Sequence, residues 1–276
     1  MSYEDALEAA AFARLEAGVL RVTGEDAHEY LDRSVTEDLR EDEPTRALLL
    51  DPEGKTVDSL RLVPRGDGFF VVSRRPEETA EKWREGVFVE DVGVELTDRT
   101  VVTVQGPEAA EVVDGIDAPS YAARRTPAGG YDLLLSEGKE PDDVPGTRFD
   151  DHATALRVEA GVPGFGNELE GRVPVGAGLD VFSEEKCYVG QEVVARIRQR
   201  GGGPSRVLRG FVAHEDAQEG DAVLDDGRAV GELTTVAESP RFGRIALGYA
   251  DESDEPTVRD ERIEERALPF SSEDDV

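Results

Sequence analysis

The segment Gly18–Gly24, GVLRVTG, alternates apolar and polar side chains and closes on glycine. EDAHEYLDRSV follows it, with Ala27, Tyr30, Leu31 and Val35 on one face of a helix. The cadence returns later. VVTVQG (Val101–Gly106) is a Val-rich strand, and PEAAEVVDG is a helix behind it. Gly24-Glu-Asp-Ala and Gly106-Pro-Glu-Ala each end such a strand and open such a helix, which suggests two related βαββ halves. Between them RALLLD and TVDSLRLV read as strands joined by DPEG, a type I turn. GFFVVSR is a further strand, and PEETAEKWREG is a helix opened by Pro76 and closed by Gly86. Helix, three strands, helix is the order of an α+β fold rather than of strict βα alternation.

Strands near Tyr121–Arg124 and Tyr131–Ser136 continue the second half, and Glu137–Arg148 reads as a polar loop. DHATALRVEAG is a helix stopped by Gly161. VPGFGNELEGRVPVGAG is a long Gly- and Pro-rich loop, and GQEVVARIRQR a short helix. GGGPS breaks the chain and marks a domain boundary. Short strands near Arg206–Ala213, Ala222–Leu224, Ala229–Thr235 and Ile245–Tyr249 then suggest a small antiparallel barrel. The expected plan is an α+β core over 1–200, a barrel over 201–270 and a disordered tail over 271–276.

Charge narrows the setting. The chain has 276 residues and a formal net charge of -31, with its acids spread along its whole length. At molar salt the Debye length is about 3 Å and such repulsion is screened. In dilute buffer it opposes the compact state. Adaptation to a salt-rich cytosol is the favoured reading over a basic partner. Dialysis to low salt is therefore expected to unfold the protein, followed by circular dichroism; a sharp two-state fold in dilute buffer would refute this. The N-terminus is acidic and unlike a signal peptide, and no apolar run matches a membrane span, so the expected compartment is the cytoplasm.

Chemistry-bearing residues are few. One cysteine, Cys187, excludes an internal disulfide and a multi-cysteine metal site. His28, His152 and His214 are far apart and form no helical pair, so no metal site is expected. Cys187 stands just before a short helix, where amide dipoles and Lys186 favour a thiolate while Glu184, Glu185 and Glu192 oppose it. A small buried thiol is the equal alternative. No acid occurs between Val193 and Ala213, a span holding Arg196, Arg198, Arg200, Arg206 and Arg209. An anionic ligand is the favoured reading, against arginines paired with acids from elsewhere. RNA is disfavoured by the long-range field, and a steep salt slope in filter binding would reveal it. Asp58 sits in mid-strand, where a carboxylate is unfavourable, and Glu159 closes a helix, where the dipole opposes an anion. Each marks either a site or plain acidic surface.

KCYVGQEVVAR resembles the K-G-C-Y-x-G-Q-E signature of the YgfZ-like folate-binding proteins, relatives of the aminomethyltransferase (T-protein) of the glycine cleavage system. ALRVEAGVPGFGNEL is similar to the family's L-R-x-E-A-G-x-P-x-x-G segment, VLRVTGEDAHEYLDRSVTEDL to its N-terminal pattern, and VVTVQGPEAAEVV to its Q-G-P turn. LLLDPEGKTVDSLRLV resembles the strand pair that carries the family's folate-site aspartate. Lys186 departs from the pattern, standing where the family has glycine; Cys187, Tyr188, Gly190, Gln191 and Glu192 keep it.

The resemblance implies two ferredoxin-like modules around a folate-sized hole, with a small C-terminal barrel. It implies tetrahydrofolate as ligand, Asp58 near its reacting nitrogens and Glu159 on the pteridine. It also implies Arg196, Arg198 and Arg206 as candidates for the glutamyl tail. It implies a role in assembly or repair of iron–sulfur proteins, linked to tRNA modification, with Cys187 ligating or shuttling; iron–sulfur client proteins would be the partners. The alternative it leaves open is an aminomethyltransferase that takes a one-carbon unit from a lipoyl carrier protein and uses Asp58 to place amine and folate.

Overall fold

The computed structural model describes residues 2–199 and 203–270. Arg200, Gly201, Gly202 and the expected tail at 271–276 lie outside the described residues. The chain opens with α1 (Ser2–Glu8), β1 (Ala11–Arg14), β2 (Gly18–Thr23) and α2 (Ala27–Ser34). β3 (Thr45–Leu50), β4 (Thr56–Arg65), β5 (Gly68–Ser73), α3 (Pro76–Gly86) and β6 (Gly93–Thr97) follow. Then come β7 (Thr100–Gln105), α4 (Ala109–Asp114), β8 (Ser120–Ala122), β9 (Gly130–Leu135) and β10 (Thr147–Arg148). α5 (Ala153–Glu159), a π-turn at Phe165–Leu169 and α6 (Gln191–Arg198) lead to the last third. That part holds β11 (Val207–Val212), β12 (Ala222–Asp225), β13 (Arg228–Ser239), β14 (Gly243–Ala250), β15 (Thr257–Val258), β16 (Glu261–Arg262) and β17 (Glu264–Arg266).

These strands form three sheets. The first has the order β3-β4-β5-β2-β6 and the second β10-β1-β7-β9-β8. The third, β16-β15-β12-β13-β14-β11-β17, is an antiparallel, nearly closed barrel. β1 is N-terminal to the whole first sheet, yet it lies inside the second, antiparallel to β7 and parallel to β10.

The repeat visible in the sequence has a geometric counterpart. Gly24 and Gly106 have φ of +119° and +120°, a region open to glycine and closed to most side chains. A Cβ at either would strike a carbonyl oxygen, that of Asp91 at 1.9 Å or of Ala9 at 2.3 Å. In both, the residue two further on donates its amide to that same carbonyl, Asp26 to Asp91 and Glu108 to Ala9. The two glycines thus let a neighbouring strand end sit against a helix start, once per half.

Alternation along each strand builds the layers. Leu60 and Leu62 of β4 join Leu20, Phe69 and Val71 in a core against Tyr30 and Leu31 of α2 and Trp83 of α3. Val63, on the opposite face, joins Val19, Phe70 and Val72 against Val101, Tyr121, Ala123 and Leu134 of the second sheet. The two sheets therefore pack on each other, with helices outside. Leu48 and Leu50 of β3 are covered by Leu169, Val181, Phe182, Tyr188 and the barrel's Tyr249, which ties the first sheet to the barrel.

A candidate anion-binding chamber between two sheets

On β4 the face that carries Val63 also carries Arg61 and Ser59. Arg46 of β3 stands directly across from Arg61. Arg74 follows the end of β5, and the second sheet contributes Tyr121, Arg125 and Asp132. The apolar inter-sheet core therefore gives way to a cluster of guanidinium groups, the candidate chamber. Arg125 forks onto Asp132, Nε to Oδ1 at 2.8 Å and a terminal nitrogen to Oδ2 at 2.5 Å. Arg61 lies over the Tyr121 ring, 4.9 Å from its centroid. Arg46, Arg61 and Arg74 form no ion pair among the described residues.

Desolvation, and then repulsion by Arg61 and Arg125, pushes the Arg46 guanidinium down to about 10. Burial lowers Arg61 and Arg74 as well, and Arg125 repels both. For Arg125 itself burial pulls downward, but the Asp132 carboxylate outweighs it and holds the group above its ordinary value. The cluster is reached by water, since a third of the Arg125 side-chain surface (33%) still meets solvent. Arg74 also lines a cleft of about 430 Å³ with Glu16, Arg75, Glu77, Glu78, Phe165 and Glu170. Arg75 crosses that mouth to pair with Glu170 and holds Glu78 at 3.0 Å.

Half-buried cations that form no ion pair are costly, and a cluster of them suits the binding of an anion. In a chain of net charge -31 the accumulation is all the more telling. Sequence reasoning missed it, because it singled out the acid-free segment instead. The available signal was that Arg46 shares its side of β3 with Leu48 and Leu50, which are buried.

The residues singled out earlier are dispersed. Asp58 is fully buried, but on the helix-packed face of β4, opposite to Arg61. Its Oδ1 accepts the amides of Ser59 at 2.7 Å and Arg74 at 2.9 Å. Its Oδ2 accepts the hydroxyls of Ser73 at 2.5 Å and Thr79 at 2.6 Å. Burial raises the Asp58 carboxyl, and these four bonds oppose the rise. Glu159 is likewise fully buried, accepting the Tyr3 hydroxyl at 2.7 and 2.8 Å. Burial raises its carboxyl against hydrogen bonds from Ser239 and Tyr3. Asp58 and Glu159 share no partner. Besides Asp132, another fully buried acid, Glu168, escaped the sequence reading. It accepts Arg157 at 2.9 Å and the Thr234 and Thr235 hydroxyls at 2.6 Å each, which fastens the π-turn to the barrel.

The acid-free segment finds its acids elsewhere in the fold. Arg198 meets Glu184 at 3.3 Å, Arg206 meets Asp251 at 4.0 Å, and Arg209 meets Glu265. Arg196 is exposed on α6.

The cysteine loop docks on the first sheet. Lys186 donates to the Asp32 carbonyl at 2.7 Å, to Asp32 Oδ1 at 3.0 Å and to the Glu37 carbonyl. Gln191 bonds the Lys186 carbonyl at 2.7 Å, and Tyr188 is buried among Leu48, Leu50 and Phe182. Cys187 is left exposed, ahead of α6, which starts at Gln191 and carries Glu192 in its first turn. Gly190 has φ +81°, and a Cβ there would lie 2.6 Å from the Asp51 carbonyl oxygen and 2.8 Å from Gly54 Cα. Both obstacles are backbone. Gly190→Ala is expected to cost about 2–4 kcal/mol, from backbone strain and lost packing, in chemical denaturation. An unchanged midpoint would show that the loop is not clamped here.

The comparisons with known proteins agree with this architecture. The Glycine cleavage T-protein C-terminal barrel domain matches residues 206–266. A probable aminomethyltransferase of Natronomonas pharaonis is 29% identical over 278 residues, covering 84% of this chain and 76% of that protein. The tRNA-modifying protein YgfZ of Edwardsiella ictaluri is 28% identical over 298 residues, covering 92% and 90%. The crystal structure of glycine cleavage system aminomethyltransferase T from Bartonella henselae superposes with a TM-score of 0.82. It covers 98% of this chain and 88% of that one at 20% identity, which establishes the fold. Fold and matched sequence together define a relative of the aminomethyltransferase, or T-protein, family. Aminomethyltransferases and YgfZ are both among the proteins that the chain is similar to over most of its length. No helix among the described residues is long and apolar enough to cross a membrane.

Proposed function

We propose that the protein binds a tetrahydrofolate and, in the manner of YgfZ, assists assembly or repair of iron–sulfur proteins in the cytoplasm. The observation that carries the ligand is the chamber where Arg46, Arg61 and Arg74 lack anionic partners. A folate's glutamyl tail ends in carboxylates, for which guanidinium forks are suited donors. These three side chains would hold that tail, and the cleft at Arg74 and Phe165 would admit it. When bound, the folate supplies a one-carbon carrier. Exposure of Cys187 lets a partner macromolecule reach the thiol without opening the fold. One thiolate gives one ligand, so the remaining ligands of any cluster would belong to the client.

The match to YgfZ over nearly its whole length supports this reading, whereas the Natronomonas aminomethyltransferase extends further beyond the matched region. The second reading, an aminomethyltransferase served by a lipoyl carrier protein, is favoured by the full-length likeness of fold to T-protein.

Calorimetry at high salt with tetrahydrofolate and its methylene form tests the ligand. Binding is expected, and no heat from the folded protein would sink the proposal. Cys187→Ala separates the two readings. It is expected to abolish support of iron–sulfur enzymes in a deletion strain while leaving folate binding intact. Unimpaired support, with one-carbon transfer retained, would favour the transferase.

A further inference from the structure

The barrel carries a group of side chains that folate binding does not use. His214 and Asp216 follow β11, and Glu261 opens β16 at the sheet's edge. Each brings one potential ligand atom, and these atoms lie within 4.8 Å of one another.

The two ring nitrogens of His214 differ in circumstance. Nε2 is 3.0 Å from the Val258 carbonyl oxygen, which can only accept, so Nε2 carries a hydrogen. Nδ1 is buried and has no hydrogen-bond partner. Glu261 Oε2 faces it at 3.6 Å, beyond hydrogen-bond reach. A neutral ring in this tautomer presents a lone pair at Nδ1 toward two carboxylates. Three potential ligand atoms thus converge within reach of a single cation.

A proton on Nδ1 would leave its N–H buried and unbonded at that distance. A metal ion does not have that defect. Tetrahedral coordination with bonds of about 2.1 Å separates its ligands by about 3.4 Å, close to the spacing between His214 and Glu261. Asp216 is exposed and free to complete the set by rotation. The neighbouring cation, Arg259, forks onto Asp221 at 2.8 and 3.0 Å and attracts Asp216 only through space. A backbone carbonyl on the far nitrogen is the usual support of a metal-bound imidazole.

We propose that His214 Nδ1, Asp216 and Glu261 bind a first-row divalent cation of the Zn²⁺ type, with water completing its coordination. The ion staples the segment after β11 to the β15–β16 hairpin, at one edge of the nearly closed barrel.

The test uses the full chain, stripped by chelator and held at high salt, titrated with ZnCl₂ and CoCl₂. Saturable one-to-one binding, a higher melting temperature and visible Co²⁺ d–d bands are expected. Glu261→Gln, an exposed position, should weaken binding at least tenfold without altering the circular dichroism, and His214→Ala should abolish it. His152→Ala should leave it intact. Absence of d–d bands, equal affinity in Glu261→Gln, or a thiolate-to-cobalt charge-transfer band from Cys187 would overturn the proposal. So would nitrogen NMR showing a protonated Nδ1 that zinc does not displace.

Discussion

Arg46→Met is expected to make the ligand-free protein more stable and to cripple its binding of folate in the same molecule. Arg46 is desolvated beside Arg61 and Arg125, and the carboxylate that acts on it, Asp132, is already forked by Arg125. Methionine keeps much of the side-chain length and removes a charge that the folded state pushes down to about 10. Relief of about 1–2 kcal/mol is expected, a rise of a few degrees in melting temperature for a chain of this size. Loss of a buried carboxylate partner costs about 2–4 kcal/mol of binding, or roughly 30- to 1000-fold in Kd. Calorimetry reads both effects. Arg196→Met, on exposed α6, serves as the comparison. If Arg196→Met abolishes binding and Arg46→Met leaves it intact, the tail is held by α6 and the chamber assignment is wrong.

Asp58 is the second position where a large effect is expected. Asp58→Ala removes the acceptor for four donors in a buried corner. The amides of Ser59 and Arg74 cannot turn elsewhere, so a loss of about 3–5 kcal/mol is expected in urea unfolding. Asp58→Asn should behave differently. Its carbonyl oxygen accepts both amides, and its NH₂ faces the Ser73 and Thr79 hydroxyls, which rotate to accept.

The pH dependence has a definite sign. Burial raises the Asp58 carboxyl in the fold, so the folded state holds its proton more tightly than the unfolded state does. The stability contributed by this group is present below the unfolded value and is lost as pH rises through the folded one. Asp58→Asn should remove that dependence and leave stability at neutral pH nearly unchanged. Equal losses in the two variants would show that charge, not hydrogen bonding, holds the corner. If Asp58→Asn folds normally but fails in aminomethyl transfer, the carboxylate acts on substrate as well.

Much of the scaffold was legible because its punctuation is local. Pro76 and Gly86 bracket α3 to the residue, and the two Gly-led turns are announced by the Val-rich strands before them. The missed elements lack such marks. β1 and β6 are short, and β15–β17 lie in the acid-rich run DESDEPTVRDERIEER, where charge hides the alternation. The site was harder still. A single arginine in an apolar strand looks like a solvent-facing residue, and only the packing of the second sheet makes Arg61 part of an interior. The acid-free segment hides its ion pairs from a sequence reading, because Arg198, Arg206 and Arg209 meet acids that lie outside it. Lys186 looked like a neighbour for the thiol. Its ammonium is instead held by Asp32 and Glu37, from the far side of the first module.

The placement of β1 sets a timetable for the nascent chain. Ala11 pairs with Gln105 on one side and Thr147 on the other, so a strand made first is seated only after both have emerged. Until then its edges have no partner, and the second sheet lacks the strand that joins β7 to β10. Tyr3, which closes over Glu159 still later in the chain, waits longer. Trimming the first fourteen residues would therefore remove the middle of a sheet rather than a tail. A circular permutant that delivers this segment after residue 148 should fold faster than the natural order, as stopped-flow refolding would reveal.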